Sequence, residues 1–186
     1  MSPIVRQDIL LLLEVNFTIT VSKTIALIAC PNGLGHVRRV CVLAEQFVRQ
    51  GWRATIFAPE QKVKKAARSL GIQQKALLRD FDARFDSKSL RSGQPEVFYW
   101  EKRLPCLDQF DAVLTDNLPE VLSIRKDAIL SGNFLWHEVL PDIPPGYRER
   151  AVRLIRECKP PLLSYGEFSV TQDVGDRRLR ILDVVD

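Results

Sequence analysis

Apolar positions along this chain switch between short continuous runs and helical stripes, and the order of the switches lays out a fold. Thr24 to Ala29 (TIALIA) is an apolar run of strand length. After a turn holding Gly33 and Gly35, a stripe follows at Val37, Val40, Cys41, Ala44, Phe47 and Val48. These positions recur at the i, i+3, i+4, i+7 spacing of one helix face. Gly51 stops the helix, Arg53 to Ala58 (RATIFA) reads as a second strand closed by Pro59, and Gln61 to Leu70 reads as a basic helix ended by Gly71. Lys75 to Leu78 makes a third strand. Alternation at this spacing implies parallel strands joined by right-handed crossovers.

Residues 80–95 are polar and aperiodic, which marks a long surface loop. Glu96 to Leu107 predicts a helix broken near Pro105, with Phe98, Tyr99 and Trp100 clustered for core packing or an acceptor site. Asp111 to Thr115 is a fourth strand that delivers Asp116 and Asn117 at its end; Leu118 to Arg125 is a short helix; Ala128 to Ser131 is a fifth strand leading into Gly132-Asn133-Phe134-Leu135-Trp136-His137. A helix over Gly146 to Cys158, a sixth strand at Leu162 to Tyr165 and a last one at Arg180 to Val185 complete the pattern. The expected fold class is α/β: a three-layer, Rossmann-like, doubly wound, mostly parallel sheet in a single domain over residues 22–186. Residues 1–21 form an N-terminal extension of unassigned role. Its apolar run, Ile9 to Leu13, is too short for a membrane span and is flanked by Asp8 and Glu14, with no clear signal-peptide pattern.

Composition narrows the class. With 186 residues, 46% apolar and 27% charged, the chain suits one domain with a real core. A net charge of +4, with basic residues scattered among acidic ones, argues against a dedicated nucleic-acid surface while suiting a phosphate-bearing ligand. The four cysteines show no CxxC and the only histidines are His36 and His137, so no metal site is expected. Cys30 and Cys41 read as packed thiols, implying a reducing, cytoplasmic setting.

The candidate chemistry gathers at the first strand-to-helix turn. Free backbone N–H groups and the positive end of the helix dipole favour anions there, and the turn carries His36 and Arg38. Taken on the glycines alone, a tight turn whose histidine caps the helix is an equal reading. The predicted strand order, 3-2-1-4-5-6, makes strands one and four neighbours at the switch point, where ligands bind beyond the carboxyl ends. His36 follows strand one and Asp116 follows strand four, so the two are expected to face each other, with Asn133 further along. A carboxylate beside an imidazole fixes its tautomer and suits it to act as a general base. A dinucleotide fingerprint requires a third glycine where this chain has Arg38, although Glu60 could pass for a ribose-binding acid, and no GxxxxGK[ST] P-loop is present. His137, beside Trp136, reads as structural or as part of an acceptor rim.

Three stretches together resemble the N-terminal half of a two-domain GT-B glycosyltransferase of the MurG-like and UDP-glycosyltransferase group. They are Gly33-Leu34-Gly35-His36-Val37-Arg38 with Leu43-Ala44; Gly51-Trp52-Arg53-Ala54-Thr55, similar to "RGHEVT"; and Asp111 to Asp116 with Ser131-Gly132-Asn133-Phe134-Leu135-Trp136, similar to "SNFTW". The resemblance spans roughly residues 22 to 140 and implies an acceptor-binding domain in which His36 deprotonates the acceptor hydroxyl with support from Asp116. It implies substrate binding by Asn32, Gly33, Gly35, Arg38, Asn117, Asn133 and Trp136. The donor would be a nucleotide sugar, UDP-linked, with no cofactor and no metal, since helix dipoles and side chains stabilise the leaving diphosphate in this fold. In that group the donor binds mainly in a second Rossmann-like domain, and this chain stops at about the interdomain linker. A donor-domain partner or self-association is therefore expected, unless the chain is a truncated or degenerate form. GLGHVRR is also similar to the nucleotide-sugar hydrolase of pseudaminic acid synthesis, whose loop histidine would activate water. A non-catalytic binding subunit that keeps the fold is the third possibility.

Overall fold

The computed structural model describes residues 22–83, 99–140, 143–164 and 178–180. The N-terminal extension, most of the polar loop, Phe98, Tyr165 and nearly all of the expected last strand lie outside the described residues. The elements are β1 (Thr24–Ala29), α1 (Leu34–Arg49), β2 (Arg53–Ala58), α2 (Glu60–Leu70), β3 (Leu77–Asp80), β4 (Ala112–Asp116), β5 (Ile129–Ser131), α3 (Trp136–Val139), α4 (Pro145–Cys158), β6 (Leu162–Ser164) and β7 (Arg178–Arg180). The strands form one seven-stranded sheet in the order β3-β2-β1-β4-β5-β6-β7, and every pairing is parallel. This is the doubly wound, Rossmann-like sheet that the alternation of runs and stripes predicts.

Both faces of the sheet are covered, which is why β1 is apolar and buried from Ile25 to Ala29. Strand side chains alternate between faces. Ile25, Leu27 and Ala29 join the layer with Val37, Val40, Cys41 and Ala44 of α1 and Val63 and Ala66 of α2. Ala26, Ile28 and Cys30 join the opposite layer with Trp100, Leu122 and the Tyr147, Ala151, Leu154 and Ile155 face of α4. Thr24 donates to the Asp111 carboxylate through its N–H (2.7 Å) and its hydroxyl (2.9 Å), tying the start of β1 to the approach to β4.

The boundaries move at the edges. β3 begins at Leu77, whereas the predicted strand starts at Lys75: Ala76 and Leu78 pack inward, and pairing with β2 extends through Arg79 and Asp80. The stretch predicted as a helix over Glu96 to Leu107 contains instead the 3-10 turn Trp100–Arg103, with a second at Leu107–Gln109. Pro105 lies between them, and proline disfavours helical backbone in the residue before it. Trp100 is buried and packs in the core, while Tyr99 is exposed. The predicted short helix from Leu118 is likewise a 3-10 turn, Pro119–Ser123, opened by its proline. Glu101, buried in the Trp100–Arg103 turn, accepts from Arg150 Nη2 of α4 at 2.6 Å, pinning that turn to the helix.

Candidate functional site

The first loop leaves β1 through Cys30 and Pro31 and enters α1 at Gly33, which takes a positive φ of 87°. No side-chain cap bond closes the N-terminus of α1 and its first turn carries no acid, so among the described residues no acid of that turn offsets the positive end of the helix dipole. Lys62, on α2, donates its ammonium to the Pro31 carbonyl and holds the turn from outside. His36 sits in the first turn of α1, with Arg39 three residues on, so both project from the same helix face.

Asp116 meets that face because of strand parity. It shares a sheet side with Ala112 and Leu114, which pack against the α1 and α2 layer. Across the sheet it registers with Ala29 of β1 and Ser131 of β5. The small side chain of Ala29 leaves room, and Ser131 supplies a hydroxyl. The carboxylate is fully buried and its bonds are divided: Oδ2 lies 2.7 Å from His36 Nδ1, while Oδ1 accepts from Arg39 Nη1 at 2.7 Å and from Ser131 Oγ at 3.2 Å. With a carboxylate acceptor at that distance, the proton on a neutral ring belongs on Nδ1. That leaves Nε2 as the acceptor nitrogen. Among the described residues Nε2 has no hydrogen-bond partner, yet it is not sealed from solvent.

Phe134 and Trp136 frame the imidazole, their ring centroids 6.1 and 5.6 Å from its own. The backbone bends into this wall at Asn117, whose φ is 57°. Asn117 N–H donates to the Ser131 carbonyl at 2.7 Å, and its side-chain Oδ1 accepts from Trp136 N–H at 3.2 Å. Its Nδ2 is buried without a hydrogen-bond partner among the described residues. Trp136 Nε1 in turn points at Cys30 Sγ, 3.4 Å away. Burial pushes the Cys30 thiol up to about 12, against the hydrogen bonds from Asn32 and Trp136, so it stays neutral and is no nucleophile.

The expected residues therefore divide. His36 and Asp116 meet, Asn117 and Trp136 build the adjoining wall, and Gly33 and Gly35 lie exposed at the helix entrance. Asn32 and Asn133 are half-buried in the two loops, and Arg38 is exposed, pointing away from the Asp116 network that its neighbour enters. His137 is buried, which favours the structural role over the rim. Glu60 is engaged elsewhere, paired with Lys64 one helical turn on. Sequence reasoning passed over Arg39 and Ser131. The signal for the first was its spacing from His36, and for the second its place at the end of the strand beside β4.

No protein-family profile matches the chain and no curated protein matches it. Among solved structures, it is similar to Arabidopsis thaliana UGT89C1 complexed with quercetin, at a TM-score of 0.45 and 17% identity, covering 84% of this chain and 49% of that one. It is also similar to a variant of actinorhodin polyketide ketoreductase with NADPH, at a TM-score of 0.36 and 11% identity, covering 88% of this chain and 87% of that one. The chain thus spans about half the length of the first of these structures. Likenesses this distant leave the chemistry to be argued from the residues.

What those residues can do is accept a proton. The ring is held by a buried carboxylate on one nitrogen and open on the other, beside an uncapped helix N-terminus that favours anionic groups. Among the described residues no three His, Cys, Asp or Glu side chains are grouped to hold a metal ion, and no helix is long and apolar enough to cross a membrane.

Proposed function

We propose that this domain is the acceptor-binding half of a glycosyltransferase that moves a sugar from a nucleotide-sugar donor, UDP-linked, to an acceptor hydroxyl. The observation that carries the reading is the 2.7 Å contact between His36 Nδ1 and the buried Asp116 carboxylate, which leaves Nε2 open. Nε2 takes the hydroxyl proton as the acceptor oxygen attacks the anomeric carbon; the bond from that carbon to the diphosphate breaks, and the diphosphate leaves with the electron pair. Asp116 offsets the charge of the imidazolium so formed. Phe134 and Trp136 offer apolar faces beside the reacting oxygen, and the uncapped start of α1 offers N–H groups to the leaving diphosphate.

The donor would be held chiefly by a second Rossmann-like domain, supplied by a partner chain or a continuation of this one. The test combines this domain with a candidate donor domain, a panel of nucleotide sugars and hydroxyl acceptors, and follows nucleoside diphosphate together with the fate of the sugar. Acceptor-dependent release with a glycoside product is the expected result. Diphosphate and free sugar released without an acceptor would replace this reading with a nucleotide-sugar hydrolase, whose histidine activates water. No release with any donor, from a pair shown to assemble, would leave a non-catalytic binding subunit.

A further inference from the structure

Two basic side chains share one buried carboxylate in this site, and only the imidazole can be neutral. Arg39 bonds Asp116 Oδ1 and His36 bonds Oδ2, both at 2.7 Å, and Asp116 is fully buried. A guanidinium is always protonated, so Asp116 has a permanent counter-charge even when the imidazole is neutral. Without it, a buried carboxylate would be stranded each time the ring gave up its second proton, and the ring would keep that proton to avoid the cost. A histidine that is already protonated cannot accept another.

We infer that Arg39 is a positioning residue that holds His36 in its neutral, Nδ1–H form by supplying Asp116 with fixed positive charge. The other groups around the pair do not supply it. Cys30, from the β1 loop, is a neutral thiol; Ser131, from β5, is a neutral hydroxyl; Phe134 and Trp136 are uncharged. Lys62 of α2 is spent on the Pro31 carbonyl, Arg38 of α1 is exposed, and Glu120, from the turn after β4, is a buried acid that would favour the protonated ring if ionised. Arg39 is the one permanently charged cation that touches Asp116 among the described residues.

The functional consequence rests on the reading of His36 as the base, but the charge state of the ring is measured without any reaction. With the whole chain labelled in its histidine rings with nitrogen-15, nitrogen shifts at pH 8 separate a neutral Nδ1–H ring from an imidazolium, and His36→Gln identifies which signals belong to residue 36. The wild type is expected to show the neutral Nδ1–H pattern. Arg39→Met and Arg39→Gln are expected to move the ratio of protonated to neutral ring upward by roughly tenfold or more; the glutamine keeps a hydrogen-bond donor but not the charge. Arg39→Lys, which keeps the charge, is expected to return the neutral pattern. A wild-type pattern in Arg39→Gln, or in a folded Arg39→Met, would overturn the inference. If the ring pattern changes as stated while diphosphate release in the completed enzyme does not, the inference about Arg39 stands and the reading of His36 as the base falls.

Discussion

Replacing Asp116 by asparagine keeps the shape of the site and removes its charge, so it isolates what the carboxylate does. The amide oxygen can still accept from Arg39 and Ser131, which occupy Oδ1 in the native protein. The amide NH₂ then faces His36 Nδ1, where Oδ2 stood at 2.7 Å. Two donors cannot share that contact, so the ring must accept at Nδ1 and carry its proton on Nε2, the nitrogen that takes one in the proposed reaction. The rate is expected to fall by roughly 10² to 10⁴ fold, the range for losing a correctly oriented base. Stability suffers too. Arg39, itself partly exposed, loses the charge opposite it but keeps a hydrogen bond, so the cost is expected at or below about 3 kcal/mol, the low end of the range for breaking a buried ion pair, or up to roughly 6–12 °C in melting temperature for a domain of this size. Lys64→Gln is the control: it breaks the exposed Lys64–Glu60 pair, for which less than about 1 kcal/mol is expected. Melting curves of the three proteins and diphosphate release by the completed enzyme read both effects. An Asp116→Asn protein that melts with the control and keeps its rate would refute the assignment of Asp116 as the group that fixes the ring.

The remaining predictions concern what surrounds the pair. Glu120 is buried on the other side of the sheet, and burial pushes its carboxyl up to about 7 against the smaller opposing influence of the nearby Tyr147 hydroxyl. The native state therefore keeps a proton that the unfolded chain releases near pH 4.5, so Glu120 withdraws stability as pH rises from about 4.5 to about 7. Glu120→Gln should match the wild type at pH 4 and exceed it by up to about 3 kcal/mol at pH 8 in denaturant titrations; a gap that shrinks as pH rises would contradict this. Gly33→Ala places a side chain at a φ of 87° and should cost about 1–2 kcal/mol, with open space around the new methyl, so a neutral melt would show that the loop relaxes freely. Gly132→Ala sets a Cβ 3.0 Å from the Phe134 carbonyl, and the forced shift of the aromatic wall should cost about 1–3 kcal/mol by thermal melting; an unchanged melt would mean that the wall gives way without strain.

The parts of this fold that could be read from the chain are those where one physical rule dominates. β1 is buried on both faces from Ile25 to Ala29 and must be apolar there, so its run announces itself, and the α1 stripe follows from packing one helix face on the sheet. From the order of those elements alone, His36 and Asp116 could be placed on adjacent strand ends. Where rules compete, the reading slipped. The stretch around Trp100 has apolar residues at helical spacing, yet it forms 3-10 turns on either side of Pro105, which disfavours helical backbone in the residue before it, and these turns bury Trp100 and Glu101. β3 is an edge strand with one partner, and its ladder runs past its apolar residues into Arg79 and Asp80. Arg39 was hidden by chemistry: an arginine on a helix surface reads as solvated until the buried carboxylate opposite it is known. Ser131 was hidden by its size, since its role comes from strand register with Asp116 and not from any pattern of its own.

The central claim is that Nε2 of His36 removes the proton from the attacking hydroxyl, and single-turnover release of diphosphate by the completed enzyme tests it most directly when wild type and His36→Gln are compared at saturating donor and acceptor. The account predicts a rate lower by roughly 10² to 10⁴ fold in His36→Gln, in a protein that remains folded. Equal rates in the two proteins would contradict it.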